Sequence, residues 1–226
     1  VDRALHRAQE LGFLGDPPLA QQVAHAWGFA TALAATGLDR DPGSFLDLGS
    51  GGGLPGLVLA VCWPGARGVL LDANQRRSAA LQEVVVAAGW GDRIQVVLGR
   101  AEQAGHDPAL RGTQEVVVAR SFGPPAVVAE CAAPFLEVGG WLVVSEPPAE
   151  PSLPPGSSPQ ADSEPAGVPR VARPDRWPTE SLAIVGLAPV RFQQGESGYQ
   201  VLRQVALCPS RYPRREGVPS KRPLYR

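Results

Sequence analysis

Four glycines and two carboxylates carry most of the chemistry legible in this chain. Phe45–Gly56 reads F-L-D-L-G-S-G-G-G-L-P-G, and Leu57–Val61 opens a new apolar run behind it. An apolar run, a glycine cluster and a second apolar run read as a buried strand, a tight turn and a helix. Gly49, Gly51, Gly52 and Gly53 carry no Cβ, so a ligand can approach bare backbone there. The helix behind the turn offers free N–H groups and a positive dipole end. Pro55 suits a first helical turn, where a missing N–H costs nothing.

Two ligand chemistries could use such a turn. Gly51, Gly53 and Gly56 have the G-x-G-x-x-G spacing of a dinucleotide site. Asp47, however, stands immediately before the turn, where a carboxylate would repel a pyrophosphate. It suits the ammonium of a cationic ligand such as S-adenosyl-L-methionine. Asp72 ends the next apolar run, Gly68–Leu71, where an acid can take both ribose hydroxyls of an adenosine. Asp72 fits either cofactor; Asp47 separates them. A glycine turn without a ligand is the packing alternative.

The surrounding elements must bring these groups together. Strands are predicted near 45–48, 68–72, 93–98, 115–119 and 140–145, and helices near 54–62, 74–89 and 125–136. Alternation of this kind predicts parallel βαβ units, with ligands at the carboxyl ends of the strands. Asp47, Asp72, the turn Gly99–Glu102 and Arg120 each follow a strand in this reading, so they should converge. Glu102 is either near an adenine amino group or a surface acid. Arg120 lies at the mouth of an acceptor pocket or is buried against Asp47 or Glu102. Arg76 and Arg77 read as a solvated helix start. Residues 2–14 and 19–38 are two helices of an N-terminal lead-in, on which His25 and Trp27 are either substrate contacts or packing.

The chain of 226 residues, 44% hydrophobic and 19% charged, suits one soluble α/β domain. A net charge of −1 names no partner. Three cysteines without metal or redox spacing fit a reducing cytosol, and neither a membrane span nor a secretory signal is visible. The expectation is a monomeric cytoplasmic protein without a metal. The stretch 147–178 is a Pro-rich, mobile insertion, with ten prolines between Pro147 and Pro178. Ser181–Val185 and Gln200–Leu207 read as an antiparallel hairpin around the loop Gln194–Gly198. In the tail, 209–226, Arg211, Arg214, Arg215, Lys221, Arg222 and Arg226 oppose Glu216 alone, with Tyr212 and Tyr225 interleaved. Such a tail fits a phosphate backbone and bases, or is simply solvated.

The order D-L-G-S-G-G-G-L-P-G, L-L-D, G-R-A-E, A-R-S-F and R-Y-P-R-R-E-G-V-P-S-K-R-P-L resembles the RsmG (GidB) family. These are class I S-adenosylmethionine-dependent methyltransferases acting on guanine N7 of small-subunit (16S) ribosomal RNA. The resemblance covers about residues 5–146 and 180–224. It implies a Rossmann-like, seven-stranded, mostly parallel sheet. It places cofactor contacts on Gly49, Leu54, Ala101, Glu102 and Arg120, beside Asp47, Gly51, Gly53 and Asp72, and gives Arg120 the catalytic role. RNA contact falls to Arg211, Arg214, Arg215, Lys221 and Arg222. Two positions depart from the family pattern. Glu146 stands where a lysine is usual, and Ala24-His-Ala-Trp-Gly28 stands where the lead-in usually has Arg-His-Leu. Another methyl acceptor, or a cofactor-binding RNA-associated protein without activity, are the competing readings.

Overall fold

The computed structural model of the chain describes residues 2–38, 40–147, 176–195 and 197–225. The insertion expected at 147–178 therefore lies outside the described residues from 148 to 175. Among the described residues, seven strands, β1 (Ser44–Leu48), β2 (Arg67–Asp72), β3 (Ile94–Leu98), β4 (Gln114–Ala119), β5 (Leu136–Glu146), β6 (Leu187–Gln193) and β7 (Gly198–Gln204), form one sheet. Their order is β3-β2-β1-β4-β5-β7-β6. The first five strands pair in parallel, while β7 runs antiparallel to both β5 and β6. The expected α/β sheet is thus present, with its strand order reversing between the parallel neighbours β1 and β4.

Side-chain alternation explains why the central strands read as unbroken apolar runs. Leu46, Leu48, Val117, Ala119, Leu142 and Val144 face one core. Phe45, Val116, Val118, Trp141 and Val143 face the other. A parallel sheet covered on both faces needs apolar residues at every position, not at alternate ones. The first core is closed by α6 (Pro125–Ala132), α7 (Thr179–Ala183) and the C-terminal segment. The second is closed by α1 (Asp2–Glu10), α2 (Leu19–Ala34), α3 (Gly56–Cys62) and α4 (Gln75–Ala87). The short α5 (Ala101–Ala104) follows β3, and α8 (Val218–Lys221) lies in the C-terminal segment.

Several boundaries differ from the expectation, two of them with a clear physical reason. Ser181–Val185 is not a strand: α7 occupies Thr179–Ala183, and β6 starts at Leu187. Leu182 and Val185, three apart, are both buried, whereas Ile184 is 40% exposed. That is helical spacing, which a five-residue apolar run cannot display against a strand. Gly186, at φ +80, then turns the chain, and its carbonyl accepts from Val205 N–H at 2.8 Å. The expected helix 125–136 ends at Ala132 and continues as a 3-10 turn over Ala133–Phe135, because Pro134 cannot donate to an α-helical ladder.

Candidate active site

The glycine turn folds back across the carboxyl end of the sheet. Gly49 and Ser50 N–H groups donate to the Leu71 carbonyl at 2.8 and 3.0 Å, fastening the turn to β2. Asp47, on β1, is fully buried. Its Oδ2 accepts from the Gly56 N–H at 2.8 Å, at the start of α3. A Cβ on residue 56 would lie 2.6 Å from that oxygen and 2.4 Å from Leu70, so the contact requires glycine. The other oxygen, Oδ1, is buried without a hydrogen-bond partner among the described residues. Burial pushes the Asp47 carboxyl up to about 7, against the opposing pull of the Gly56 N–H, Ser50 and the Arg120 charge.

Asp72, the last residue of β2, spans the turn. Its Oδ2 accepts from Gly51 N–H at 2.8 Å and its Oδ1 from Asn74 N–H at 2.7 Å. Each carboxylate oxygen keeps a second lone pair, so ribose hydroxyls can still be accepted. Gly53 (φ +101) and Leu54 follow, with Leu54 buried. Ala101 and Glu102 open α5 and are both buried. Glu102 Oε1 accepts from Gly217 N–H at 3.1 Å and from Arg100 at 3.3 Å, so it ties the C-terminal segment to α5. Arg76 and Arg77 border a groove of about 1000 Å³ between α1 and α4, which reaches the turn at Gly51 and Gly52.

Arg120 leaves β4 toward α2. Its Nη2 donates to Gln22 Oε1 at 2.9 Å, while Nη1 is buried without a partner among the described residues. Gln22 is itself fixed, donating to Gly15 and Pro17 carbonyls at 2.9 and 2.8 Å. Ser121 has a left-handed backbone (φ +53). Non-glycine residues held there cluster at functional sites. The turn sends Arg120 to one side and Phe122 to the other, over Gly49, where a Cβ would lie 2.7 Å from the Phe122 ring. Two cavities lie on this side of the sheet, and Arg120 lines the first of them. One, about 310 Å³, is lined by Gln22, His25, Arg120, Ser197 and Tyr199. The other, about 470 Å³, is lined by His25, Phe122, Val144, Glu146, Arg176 and Ser197.

Glu146 does not put a free negative charge on the pocket edge. It is 6% exposed, and its carboxylate accepts from Arg176 Nε at 2.6 Å and from Trp177 Nε1 at 3.1 Å. The acid and its arginine are on opposite sides of residues 148–175, so the departure at 146 is compensated in space by Arg176.

The C-terminal segment is a packed strap. Arg111 donates to four carbonyls, Gly105 (2.7 Å), Tyr212 (2.8 Å), Cys208 (2.9 Å) and Pro209 (3.0 Å). Arg214 grips the fully buried Glu130 of α6, with Nε to Oε1 at 2.8 Å and Nη2 to Oε2 at 2.5 Å. These partners raise the Arg214 pKa further. Its guanidinium, expected to meet RNA, is engaged here by a buried carboxylate. Arg211, Arg215, Lys221 and Arg222 are exposed.

A family profile described as rRNA small subunit methyltransferase G, GidB, matches residues 25–146. A protein named "Ribosomal RNA small subunit methyltransferase G" from Prochlorococcus marinus is 36% identical over 82% of this chain and 69% of its own length. A protein of the same name from Symbiobacterium thermophilum is 32% identical over 92% of the chain and 80% of its own length. This chain belongs to the rRNA small subunit methyltransferase G family. A solved "SAM dependent methyltransferase" from Aquifex aeolicus shares the fold, at TM-score 0.55 and 14% identity, over 89% of this chain and 98% of that one. The segment matched to the GidB profile holds the glycine turn, Asp72, Glu102 and Arg120; the strap lies beyond it.

The residues present fit a cofactor with a zwitterionic amino-acid end. A buried carboxylate oxygen (Asp47 Oδ1) and a buried guanidinium nitrogen (Arg120 Nη1) lack partners among the described residues. They are the complement, in sign, of an ammonium and a carboxylate. Buried polar atoms of this kind are rare without a ligand or water to satisfy them. Gln22, Ser197 and Tyr199 line the candidate site without having been singled out in the sequence. Gln22 left one signal: a polar residue 3% exposed on the inward face of an apolar helix. The others left none, since a lone serine in a turn or a lone tyrosine at the start of a strand has no spacing to mark it.

Proposed function

We propose that this chain transfers a methyl group from S-adenosyl-L-methionine to guanine N7 of small-subunit (16S) ribosomal RNA. The observation that carries the reading is the pair of orphaned, buried, oppositely charged atoms on Asp47 and Arg120, near a glycine turn in which no side chain covers Gly51. Membership of the methyltransferase G family supplies the acceptor class. When bound, the cofactor supplies an electrophilic methyl on a sulfonium. Asp47 and Arg120 hold the amino-acid end, Asp72 the ribose, and Ala101 and Glu102 flank the adenine. Guanine N7 carries an in-plane lone pair, so no general base is needed. The protein's contribution is orientation, which alone can supply a large part of such a rate enhancement. Arg120 and Phe122, on either side of the Ser121 turn, each line one of the two adjoining cavities offered to the acceptor.

The enzyme is expected to act in the cytoplasm, where its RNA resides; no helix among the described residues is long and apolar enough to cross a membrane. Incubation with methyl-labelled cofactor and small subunits lacking the modification should put label into the 16S RNA. Strand scission specific for N7-methylguanosine should then map it. Label in protein or small molecules only, or no label at all, would refute the reading.

RNA phosphates are assigned to the exposed side of the strap. Arg211 lies over the Tyr212 ring, 5.1 Å from its centroid, and Arg215, Lys221 and Arg222 point away from the core. Changing Arg215, Lys221 and Arg222 together to Gln should leave the melting temperature and cofactor affinity unchanged. The log–log salt dependence of RNA binding should flatten by about two units, at about 0.7–0.9 for each phosphate no longer neutralised. An unchanged slope would remove the strap from the RNA interface.

A further inference from the structure

His25 is the residue on which the two cavities meet. Among the described residues, it and Ser197 alone line both. The ring is held from two sides, stacked on Phe29 at 6.0 Å between centroids and edge-on to Tyr199 at 5.6 Å. Tyr199 also donates from its hydroxyl to the His25 carbonyl at 2.7 Å, reaching through a space that a Cβ on Gly28 would fill. This is a preorganised imidazole, and its Nε2 is buried with no hydrogen-bond partner among the described residues. A buried ring nitrogen without a partner, on a residue that lines two cavities, is costly unless a ligand group completes it.

We propose that His25 contacts the methyl acceptor directly and selects a base with a ring N–H donor, pairing its Nε2 with N1–H of guanine. The proposal rests on the methyl-transfer reading given above and deepens it. Burial and the nearby Arg120 charge both lower the His25 pKa, which keeps the imidazole neutral at neutral pH. A neutral ring protonated on Nδ1 presents Nε2 as an acceptor. Guanine offers a donor at N1, on the side of the ring away from N7, so reading it leaves N7 free for the methyl. Adenine has an acceptor at N1 and would set two lone pairs against each other. The combined cavities, about 310 and 470 Å³, lie in the size range of small-ligand sites, about 300–1,000 Å³.

The test uses the full chain and a synthetic rRNA fragment spanning the guanosine that the wild-type enzyme labels, carrying either guanosine or 1-methylguanosine there. His25→Phe keeps an aromatic ring between Phe29 and Tyr199 and removes both ring nitrogens. It should lower kcat/KM about ten- to a hundredfold, as expected when a buried hydrogen bond is removed, with melting temperature and cofactor affinity unchanged. His25→Gln, which restores an acceptor, should recover part of the loss. Wild type should discriminate against 1-methylguanosine by a similar factor, and His25→Phe should not discriminate at all. Wild-type efficiency in His25→Phe, losses that multiply between variant and modified RNA, or a fall in melting temperature matching the fall in activity would each overturn the assignment. Absence of transfer to any RNA by the wild type would instead remove the functional reading on which it rests.

Discussion

Asp47→Asn is expected to stabilise the ligand-free protein above pH 7 and to weaken cofactor binding. The folded carboxyl titrates near 7, against 3.8 in its ordinary state, because burial disfavours the charge. Between those values the folded state holds a proton that the unfolded state has released. Stability therefore falls as pH rises from about 4 to 7, and the full penalty applies above 7. Three pKa units set an upper limit of about 4 kcal/mol. Asparagine keeps an acceptor for the Gly56 N–H but buries an unpartnered amide, so a net gain of about 1–3 kcal/mol is expected at pH 8. Urea denaturation at pH 5.5 and 8 would show it as a variant whose stability declines less with pH than the wild type. The cofactor's ammonium needs the ionised form, so wild-type affinity should rise about tenfold between pH 6 and 8 as proton release ceases to compete. In the variant, calorimetry should find weaker binding with that rise abolished. Equal pH dependence in the two proteins would mean that Asp47 does not meet the cofactor. The arrangement trades apo stability for a charge that only the ligand completes.

The part of the site legible in the sequence is the part made by local order. Asp47, Gly49, Gly51, Gly53 and Asp72 come from two consecutive βα turns, and the strand–turn–helix pattern fixes where each points. Arg120 was legible for the same reason, standing at the end of an apolar run. What it touches was not, because Gln22 is 98 residues away in sequence. The strap shows the limit most clearly. A run of arginines reads as solvated or as nucleic-acid binding, and nothing in it distinguishes Arg214, gripping a carboxylate 84 residues earlier, from exposed Arg215. The signal lay at the other partner. Glu130 is one acid within V-V-A-E-C-A-A, a helix apolar on every side, and such a helix is buried all round. An acid there requires a cation from somewhere in the fold. Glu146 followed the same logic: read alone it made the pocket edge acidic, whereas Arg176 neutralises it across 30 residues.

Arg214→Ala is expected to destabilise the domain by about 3–5 kcal/mol, the cost of leaving a buried charge without its partner. The Glu130 side chain is 0% exposed and that of Arg214 30% exposed, so the two ends of the pair are not equivalent. Removing the arginine strands a carboxylate in the core with one backbone N–H, from residue 214 itself, as its remaining donor among the described residues. It also frees the Arg222 carbonyl, which Arg214 Nη2 holds at 2.7 Å, and so loosens α8. Removing the charge at the other end, with Glu130→Gln, leaves a cation that can reach water and should cost less. The double variant Glu130→Gln/Arg214→Ala should be more stable than Arg214→Ala alone. Urea denaturation of the four proteins at pH 8 resolves these orderings. A loss below about 1 kcal/mol for Arg214→Ala at pH 8 is the behaviour of a solvated ion pair. That result would return Arg214 to the set of cations available for RNA.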